Sequence, residues 1–355
     1  MDDVSGSCMA MRGNKQLRCA EPLIVEEIVV DPLKAYEIRL KIVCTSLCHS
    51  DITFWRAKAT TVFPRILGHE AYGVVESVGE HVEGFAAGDT VVTTFLGQCD
   101  QCPGCASEHN NLCTTAPFVF GPGMRRDGTT RFRDAQGNPL HDLVAVSSFA
   151  EYTVVDVTQV VKIDPAVPPK LACLLSLRRQ HRGGSCMEGG QGGTRLISGH
   201  LRAGVRWVSG KSFGVTHFVN PSQLGNSSVP EEIAKLTGGG ADYSFECIGV
   251  SSVMTDAFTS TKPGKGKTII LGLEKDNKPI SLPSLDLLSG KCVMGSYFGG
   301  LKPKTDVPIL ARKCMNKELE LDGLVTHEVG LQEINTAFDL LLQGKSLRCI
   351  IWMDK

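Results

Sequence analysis

Short runs of apolar residues cover most of the first half of the chain, and turn signals separate them. The runs fall at residues 23–43, 73–79, 88–92 and 149–161, with Asp31-Pro32 as one of the breaks. Short runs rich in Val and Ile are typical of β-strands. Many short strands, many glycines and no long helical period predict a partly closed barrel. The polar stretch 119–148, which is rich in Gly, Arg and Asp, is predicted to be a surface excursion.

The second half contains both strand-like and helix-like segments. Residues 215–220, 243–248 and 268–273 are predicted strands. Residues 230–236 are a predicted helix, because Pro230 stands in the first turn, where proline is favoured. Helices are also predicted over 318–321 and 334–342. The latter segment has apolar residues at helical spacing and ends before Gly344.

The totals describe an ordinary globular chain. Its 355 residues are enough for two domains, and its hydrophobic fraction of 42% and charged fraction of 21% are normal. The net charge of −1 argues against a nucleic acid or an anionic membrane as a partner. The first residues show no secretory leader, and no stretch is long and apolar enough to span a bilayer. We therefore expect a cytoplasmic protein with reduced thiols.

Four cysteines stand close together in the spacing C-x2-C-x2-C-x7-C. They are Cys99, Cys102, Cys105 and Cys113. Four thiolates can surround one Zn²⁺ ion, which is the closed, structural type of zinc site. A disulfide is disfavoured in a cytosolic protein, and an iron–sulfur run would place its fourth cysteine after three residues. The spacing therefore predicts a structural zinc, with unrelated free thiols as the remaining alternative.

A second set of metal-binding side chains precedes the four cysteines. Cys48 and His69 offer a thiolate and an imidazole, and a catalytic zinc needs three protein ligands and an open position. Glu70 is a candidate to support these ligands or to exchange with one of them. Ser50 is a candidate to take a proton from an alcohol. A single cysteine and a single histidine are more often structural residues, so the pattern by itself leaves this site open.

Around these residues the chain resembles the zinc-dependent medium-chain alcohol dehydrogenases, most closely the plant type. The resemblance covers about residues 14–176 and 212–355. Besides the four-cysteine loop, the segments that carry it are Cys48-His49-Ser50-Asp51, Phe54-Trp55-Arg56-Ala57-Lys58, PRILGHE at 64–70, FAEYTVV at 149–155, FGVTHFVNP at 213–221 and LRCII at 347–351. The resemblance implies an α/β protein with a GroES-like, partly closed β-barrel catalytic domain over 1–176. A Rossmann-type coenzyme domain would follow over 177–297, and residues 298–355 would return to the catalytic domain.

The resemblance also implies a function and roles for particular residues. The protein would be a homodimer that interconverts a small alcohol and its aldehyde or ketone, with zinc and NAD. Cys48 and His69 would bind the catalytic zinc, and Ser50 would bind the alcohol oxygen. The residues implied for the coenzyme are His49 and Arg348 near its pyrophosphate and Leu271, Gly272, Leu273 and Phe298 near its nicotinamide. Thr114-Thr115-Ala116-Pro117 lacks the arginine of the sub-family that acts on a glutathione adduct.

The resemblance fails between Leu177 and Ser212. The family has a cysteine, its third catalytic zinc ligand, at the position of Leu177, and a G-x-G-x-x-G turn after it, but this chain contains no such turn. The coenzyme domain is therefore expected to miss its first glycine-rich βαβ unit. Codons read one base later could encode C-G-V-S-T-G-A from residue 177 and I-F-G-L-G-S-V-G from residue 200, which predicts a shifted reading frame. The alternative is a real basic loop that binds RNA or phosphate, although no aromatic platform accompanies its arginines.

Two functional interpretations follow from this break. The first is a zinc-dependent oxidoreductase of alcohols whose activity, in this chain, is weak or absent because a zinc ligand and the glycine turn are missing. The second is a non-catalytic zinc-binding remnant that acts only through dimerisation or partner binding. A relative that reduces carbonyls or oxidises polyols with the same residues also stays open, because the residues of the pocket decide the substrate.

Overall fold

A computed structural model of the protein describes residues 9–56, 62–176, 196–198, 215–274 and 277–355. The chain divides into two compact units. Unit 1 consists of Met1–Arg178 and Leu301–Lys355, and unit 2 consists of Arg179–Gly300. Among the described residues, no helix is both long and apolar enough to span a membrane.

The described strands and helices are numbered in chain order. The strands are β1 (Met9–Gln16), β2 (Ile24–Val30), β3 (Glu37–Leu47), β4 (Arg65–Ile66), β5 (Ala71–Val78), β6 (Thr90–Thr93), β7 (Phe132–Asp134), β8 (Pro139–Leu140), β9 (Tyr152–Asp156), β10 (Val160–Lys162), β11 (Leu196–Ser198), β12 (His217–Val219), β13 (Tyr243–Glu246), β14 (Lys267–Ile270), β15 (Cys292–Gly295), β16 (Val325–Gly330) and β17 (Arg348–Trp352). The α-helices are α1 (His49–Arg56), α2 (Pro103–Ala106), α3 (Pro169–Ala172), α4 (Val229–Thr237), α5 (Ser251–Thr259), α6 (Ser284–Leu288), α7 (Pro303–Met315) and α8 (Ile334–Leu342).

Unit 1 is built from two sheets. One has the strand order β4-β1-β2-β7-β8, and the other has the order β10-β6-β5-β3-β17-β16, with β9 also paired to β3. The strand runs predicted at 23–43, 73–79, 88–92 and 149–161 are confirmed as β2, β3, β5, β6, β9 and β10. β17 lies beside β3, with Cys349 opposite Leu47, so the last residues of the chain complete the sheet that its first half begins.

The interpretation of residues 119–148 as a surface excursion is wrong for 131–134 and 140–148, whereas 126–129 and 135–139 are exposed. β7 pairs with β2 and β8 pairs with β7, and Phe132 and Leu140 are fully buried in the core of unit 1. The polar composition misleads because the charges are themselves buried in ion pairs. Arg131, for example, donates through Nε to Glu37 Oε2 at 2.8 Å, and Arg131 is only 3% exposed. A charge that is paired and hydrogen-bonded can enter a core that an unpaired charge cannot.

The described part of unit 2 is a small α/β arrangement. β13, β14 and β15 form a parallel sheet in that order, and α5 connects β13 to β14. The predicted helix at 230–236 is confirmed as α4, where Ser228 and Glu231 form a capping box. The predicted strands at 215–220, 243–248 and 268–273 are confirmed as β12, β13 and β14, although β13 and β14 end two and three residues before the predicted ends.

The predicted helix at 318–321 in unit 1 is wrong, whereas the one at 334–342 is confirmed as α8. α7 ends at Met315, and Lys317 then adopts a positive φ of 59°. A residue in the left-handed region ends a right-handed helix. The apolar residues at 319 and 321 are buried, but they are reached through this turn and not through a further helical segment.

Candidate metal centre

Three metal-binding side chains converge in unit 1. Cys48 stands between β3 and α1, and His69 and Glu70 lie between β4 and β5. One ligand atom of each residue lies within 4.8 Å of the others, and all three residues are buried. The pairing of β3 with β5 explains this meeting, since Thr45 near the end of β3 lies opposite Ala71 at the start of β5.

The carboxylate of Asp51 holds this arrangement together. Its Oδ2 accepts a hydrogen bond from the Cys48 backbone N–H at 3.0 Å, and its Oδ1 accepts one from the Gly68 N–H at 3.0 Å. Oδ1 also lies 3.1 Å from Nδ1 of His69, and Asp51 is fully buried. Asp51 is absent from the residues predicted on the sequence. Asp51 lies three residues after Cys48, in the first turn of a helix. This spacing could have identified Asp51, because Asp side chains accept hydrogen bonds from backbone N–H groups at the start of a helix.

The charges of the site act strongly on one another. Burial by itself raises the pKa of the Cys48 thiol, but the charge of Arg348 and the imidazole of His69 outweigh it and lower this pKa to about 5. Burial raises the pKa of Glu70 to about 8, although Arg348 opposes the shift. Burial lowers the pKa of His69, but the Asp51 carboxylate outweighs it and raises this pKa well above its usual value.

The donor set fits a zinc ion. Nε2 of His69 and both carboxylate oxygens of Glu70 are buried and make no hydrogen bond within the described residues. Buried polar atoms without partners are costly, and a metal ion would satisfy all of them. Thiolate, imidazole and carboxylate are the three ligand types that zinc takes in proteins. The carboxylate behind His69 is also the usual partner of a metal-bound histidine.

The other predicted residues of unit 1 lie close to this centre or at its edge. Ser50 is half-buried in the first turn of α1, and its Oγ lies 3.7 Å from Cys48 Sγ. His49 is exposed at the start of the same helix. Arg348, at the start of β17, has its Nη1 3.6 Å from Glu70 Oε1. Arg348 therefore faces the Glu70 carboxylate.

The four-cysteine loop forms a second cluster that could hold a metal ion. One ligand atom of each of Cys99, Cys102, Cys105 and Cys113 lies within 4.8 Å of the others. The cysteines are free thiols, with Sγ atoms 4.0 Å apart for Cys99 and Cys105 and 3.8 Å apart for Cys102 and Cys113. Backbone N–H groups of Cys105 and Thr114 donate to Cys102 Sγ at 3.4 and 3.3 Å. Burial raises the pKa of Cys102, but the hydrogen bonds from Thr114 and Cys105 outweigh it and lower this pKa to about 5, which favours a thiolate ready to bind metal.

The predicted coenzyme residues of unit 2 lie at the carboxyl end of its parallel strands. Leu271, Gly272 and Leu273 follow β14 directly and are half-buried, and Phe298 is buried in a short 3-10 turn that follows β15. Their roles toward a coenzyme stay predictions. Leu177 and the glycine-rich residues 183–193 lie outside the described residues, and so does the predicted loss of the first βαβ unit.

Family models match both halves of the chain. The model of the alcohol dehydrogenase GroES-like domain matches residues 34–165, and that of the zinc-binding dehydrogenases matches residues 206–316. Alcohol dehydrogenase-like 2 of Arabidopsis thaliana is 48% identical over 366 residues, which cover 95% of each chain. Alcohol dehydrogenase 2 of Solanum lycopersicum is 40% identical over 381 residues, which cover 99% of this chain and 100% of the relative.

Solved structures give the same fold. The chain is similar to an alcohol dehydrogenase zinc-binding domain protein from Burkholderia ambifaria, with a TM-score of 0.82 and 27% identity over 98% of this chain and 100% of the other. It also shares its fold with benzyl alcohol dehydrogenase from Acinetobacter calcoaceticus, at a TM-score of 0.80 and 23% identity over 97% and 99% of the two chains. The expected α/β fold with a GroES-like domain and a coenzyme-binding domain is thereby confirmed. The chain belongs to the zinc-dependent, medium-chain alcohol dehydrogenase family of enzymes.

Proposed function

We propose that the protein is an NAD-dependent alcohol dehydrogenase whose catalytic zinc is held by Cys48, His69 and Glu70. The observation that carries this proposal is the convergence of three buried donors, two of which leave bare atoms in the described part of the chain. A thiolate, an imidazole and a carboxylate leave the fourth position of a tetrahedral zinc open for a substrate. Glu70 is needed as a ligand because Leu177 stands where the family has a cysteine.

Each residue around the centre has a separate role in the proposed reaction. Zinc, when bound, supplies a Lewis acid for the alcohol oxygen, and NAD supplies the two-electron acceptor. Asp51 orients His69 through Nδ1, so that Nε2 is the ring nitrogen left for the metal. Ser50 would relay the alcohol proton: its Oγ accepts that proton and releases its own hydroxyl proton to solvent, since Ser50 is half-buried and its Oγ lies 3.7 Å from Cys48 Sγ. Arg348 limits the negative charge that the Cys48 thiolate and the Glu70 carboxylate accumulate.

The support for NAD comes from unit 2. Ligands of open parallel sheets bind beyond the carboxyl ends of the strands. β13 ends at Glu246 and β14 ends at Ile270, and the segments that follow them pack backbone against backbone through Gly249 and Gly272. This edge suits the nicotinamide end of the coenzyme. The pyrophosphate end would require the glycine turn, which the sequence lacks.

The proposal includes a homodimer in the cytoplasm. Among the described residues, β15 pairs only with β14 and so forms a sheet edge. Met294 on this strand is 48% exposed, and Leu285 and Leu288 on nearby α6 are 75% and 84% exposed. An apolar sheet edge is a common place for a second chain to pair. Size-exclusion chromatography with light scattering should measure a molar mass of twice the 38.2 kDa of one chain.

The second candidate is a zinc-binding remnant without catalysis. The absence of both the glycine turn and the cysteine at Leu177 favours it. In that case the four-cysteine loop would still bind one zinc and stabilise unit 1. The centre at Cys48 would bind none, and the protein would act through dimerisation or a partner.

Zinc content separates the two candidates. Elemental analysis would be carried out on the unaltered 355-residue chain and on its Cys48→Ser and Cys102→Ser variants. The enzyme proposal expects about two zinc ions per chain, with one lost in each variant, and NADH formation that depends on an added alcohol. One zinc that survives Cys48→Ser, together with no NADH formation, would establish the remnant. Sequencing of the transcript across residues 177–212 tests the shifted frame, which codons unable to encode the two offset motifs would exclude.

A further inference from the structure

One buried carboxylate at the carboxyl edge of the unit 2 sheet has no part in the function described so far. Glu246 is the last residue of β13 and is 2% exposed. Its Oε1 accepts hydrogen bonds from the backbone N–H groups of Ile248 at 2.7 Å and Gly249 at 2.8 Å. Its Oε2 is buried and has no hydrogen-bond partner among the described residues. Glu246 thus caps the loop that follows its own strand with one oxygen and leaves the other bare.

The same residue also holds the loop of the neighbouring strand. The backbone carbonyl of Glu246 accepts hydrogen bonds from Leu271 N at 2.8 Å and Gly272 N at 2.9 Å. A Cβ on Gly272 would overlap Oε2 of Glu246, and a Cβ on Gly249 would overlap the carbonyl of Leu273. Oε2 of Glu246 therefore packs closely against Gly272, where a larger residue at position 272 would not fit.

The charge on this carboxylate has no counter-ion in the part of the chain that the structure describes. None of the ion pairs between described residues involves Glu246; Lys262 and Lys265 pair instead with Asp242, and Lys291 pairs with Asp286. A buried carboxylate with a bare oxygen is costly by itself. It becomes favourable when a positive charge binds within reach in the same low-dielectric region.

We propose that Glu246 is a positioning residue that favours the oxidised coenzyme. Its two acceptor groups hold the loops 247–249 and 271–273 at the carboxyl edge of the sheet. Its negative charge favours the cationic nicotinamide ring of NAD⁺ over the neutral ring of NADH. This inference rests on the proposed use of NAD and adds to it a residue that sets the balance between the two forms. Glu246 is not one of the residues proposed to hold zinc.

Binding of the two coenzyme forms tests the inference without turnover. The dissociation constant of NADH would be measured from its fluorescence, and that of NAD⁺ by competition. The variants are Glu246→Gln, which removes the charge and keeps an oxygen for Ile248 and Gly249, and Glu246→Asp, which keeps the charge. The matched control is Asp242→Asn, which removes a charge from the residue just before the other end of β13.

For two unit charges at a separation of about 10 Å and an effective dielectric constant of about 20 to 40, the Coulomb energy corresponds to about a fourfold to sixteenfold change in affinity. We expect Glu246→Gln to raise the ratio of the NAD⁺ to the NADH dissociation constant by this factor. Glu246→Asp and Asp242→Asn should leave the ratio within about twofold of the parent value. Glu246→Asp would test the role of charge even if Glu246→Gln failed to fold.

Three results would overturn the inference. If Glu246→Gln weakens both forms equally, the residue has only a structural role, and the proposed use of NAD still stands. An altered ratio in Glu246→Asp would also contradict a role of charge. If the parent chain binds neither form, the proposed use of NAD fails, and this inference fails with it.

Discussion

Replacing Asp51 with Asn should weaken the metal centre at Cys48 and leave the four-cysteine site intact. The Asp51 carboxylate receives three contacts: Cys48 N at 3.0 Å, Gly68 N at 3.0 Å and His69 Nδ1 at 3.1 Å. Its two oxygens can serve all three at once. An asparagine has one acceptor oxygen, so its NH₂ group must face at least one of these N–H groups. The substitution therefore removes the negative charge behind His69 and leaves a buried donor without an acceptor.

The magnitude follows from these contacts. Loss of a carboxylate that orients a ligating histidine typically lowers metal affinity by about 10-fold to 100-fold. This factor corresponds to about 1.4 to 2.7 kcal/mol of binding free energy. The unsatisfied buried N–H adds about 1 to 3 kcal/mol to the loss of folding stability. The first effect belongs only to the Cys48 centre, whereas the second acts on the whole of unit 1.

A competition assay with a chromophoric zinc chelator measures the first effect, because the four-cysteine site provides an internal reference. Asp142→Asn is the matched control. Asp142 is also buried and accepts two backbone hydrogen bonds, from Gly123 at 2.6 Å and Ala145 at 2.8 Å, but it is not a hydrogen-bond partner of His69. The control variant should lose stability in urea without losing zinc affinity. Equal zinc affinity in the Asp51→Asn variant and the parent protein would refute the role of Asp51 as the group that orients His69.

Three further substitutions, one of them with a matched control, test other parts of unit 1. Gly68→Ala should lower the free energy of unfolding by about 1 to 3 kcal/mol through its φ of +93°, and by more because the new Cβ would lie 2.5 Å from Phe149 Cδ1. The control Gly84→Ala has a φ of +78° and open space around the Cβ, so it should show only the backbone cost. Equal urea midpoints for the two variants would contradict the steric argument. Cys102→Ser should release one zinc and lower the urea midpoint, and an unchanged zinc content would exclude a metal in the loop. Burial raises the pKa of Asp127, but hydrogen bonds from its lysine, threonine and arginine partners outweigh it and lower this pKa. The stability that this depressed pKa contributes is present above the unfolded pKa of about 3.9 and is lost as the pH falls below it. Asp127→Asn should therefore flatten the acid limb of stability in urea titrations at successive pH values, and an unchanged acid limb would contradict this account.

Local patterns predicted part of the structure well. The strand runs and the helix at 334–342 could be identified from the chain because apolar spacing shows which face is buried. The same logic failed at 119–148, since a buried arginine such as Arg131 has the composition of a surface residue until its partner Glu37 is known. It also failed at 318–321, where the positive φ of Lys317 turns the chain out of the helix. A positive φ is typical of glycine, so a lysine gives no sign of it in the sequence.

The metal centres show the same division. The four cysteines lie within 15 residues of one another, so their spacing alone identifies a site that one loop can close. Cys48 and His69 are separated by 20 intervening residues. Their spacing does not indicate a shared site, and only the resemblance of the surrounding motifs to a known family identified them as a pair. The pairing of β3 with β5 brings them together, and the Asp51 carboxylate then sets the direction of the imidazole.

The sequence by itself determined which residues of this protein can bind metal and which segments form strands, because side-chain chemistry and apolar spacing are local properties. Only the tertiary structure decided that Glu70 brings a buried carboxylate without hydrogen bonds to Cys48 and His69, and that Glu246 leaves one oxygen without a hydrogen bond among the described residues. Whether a carboxylate is paired or bare depends on groups far away along the chain. Folding brings those groups close and removes the water that would otherwise satisfy them.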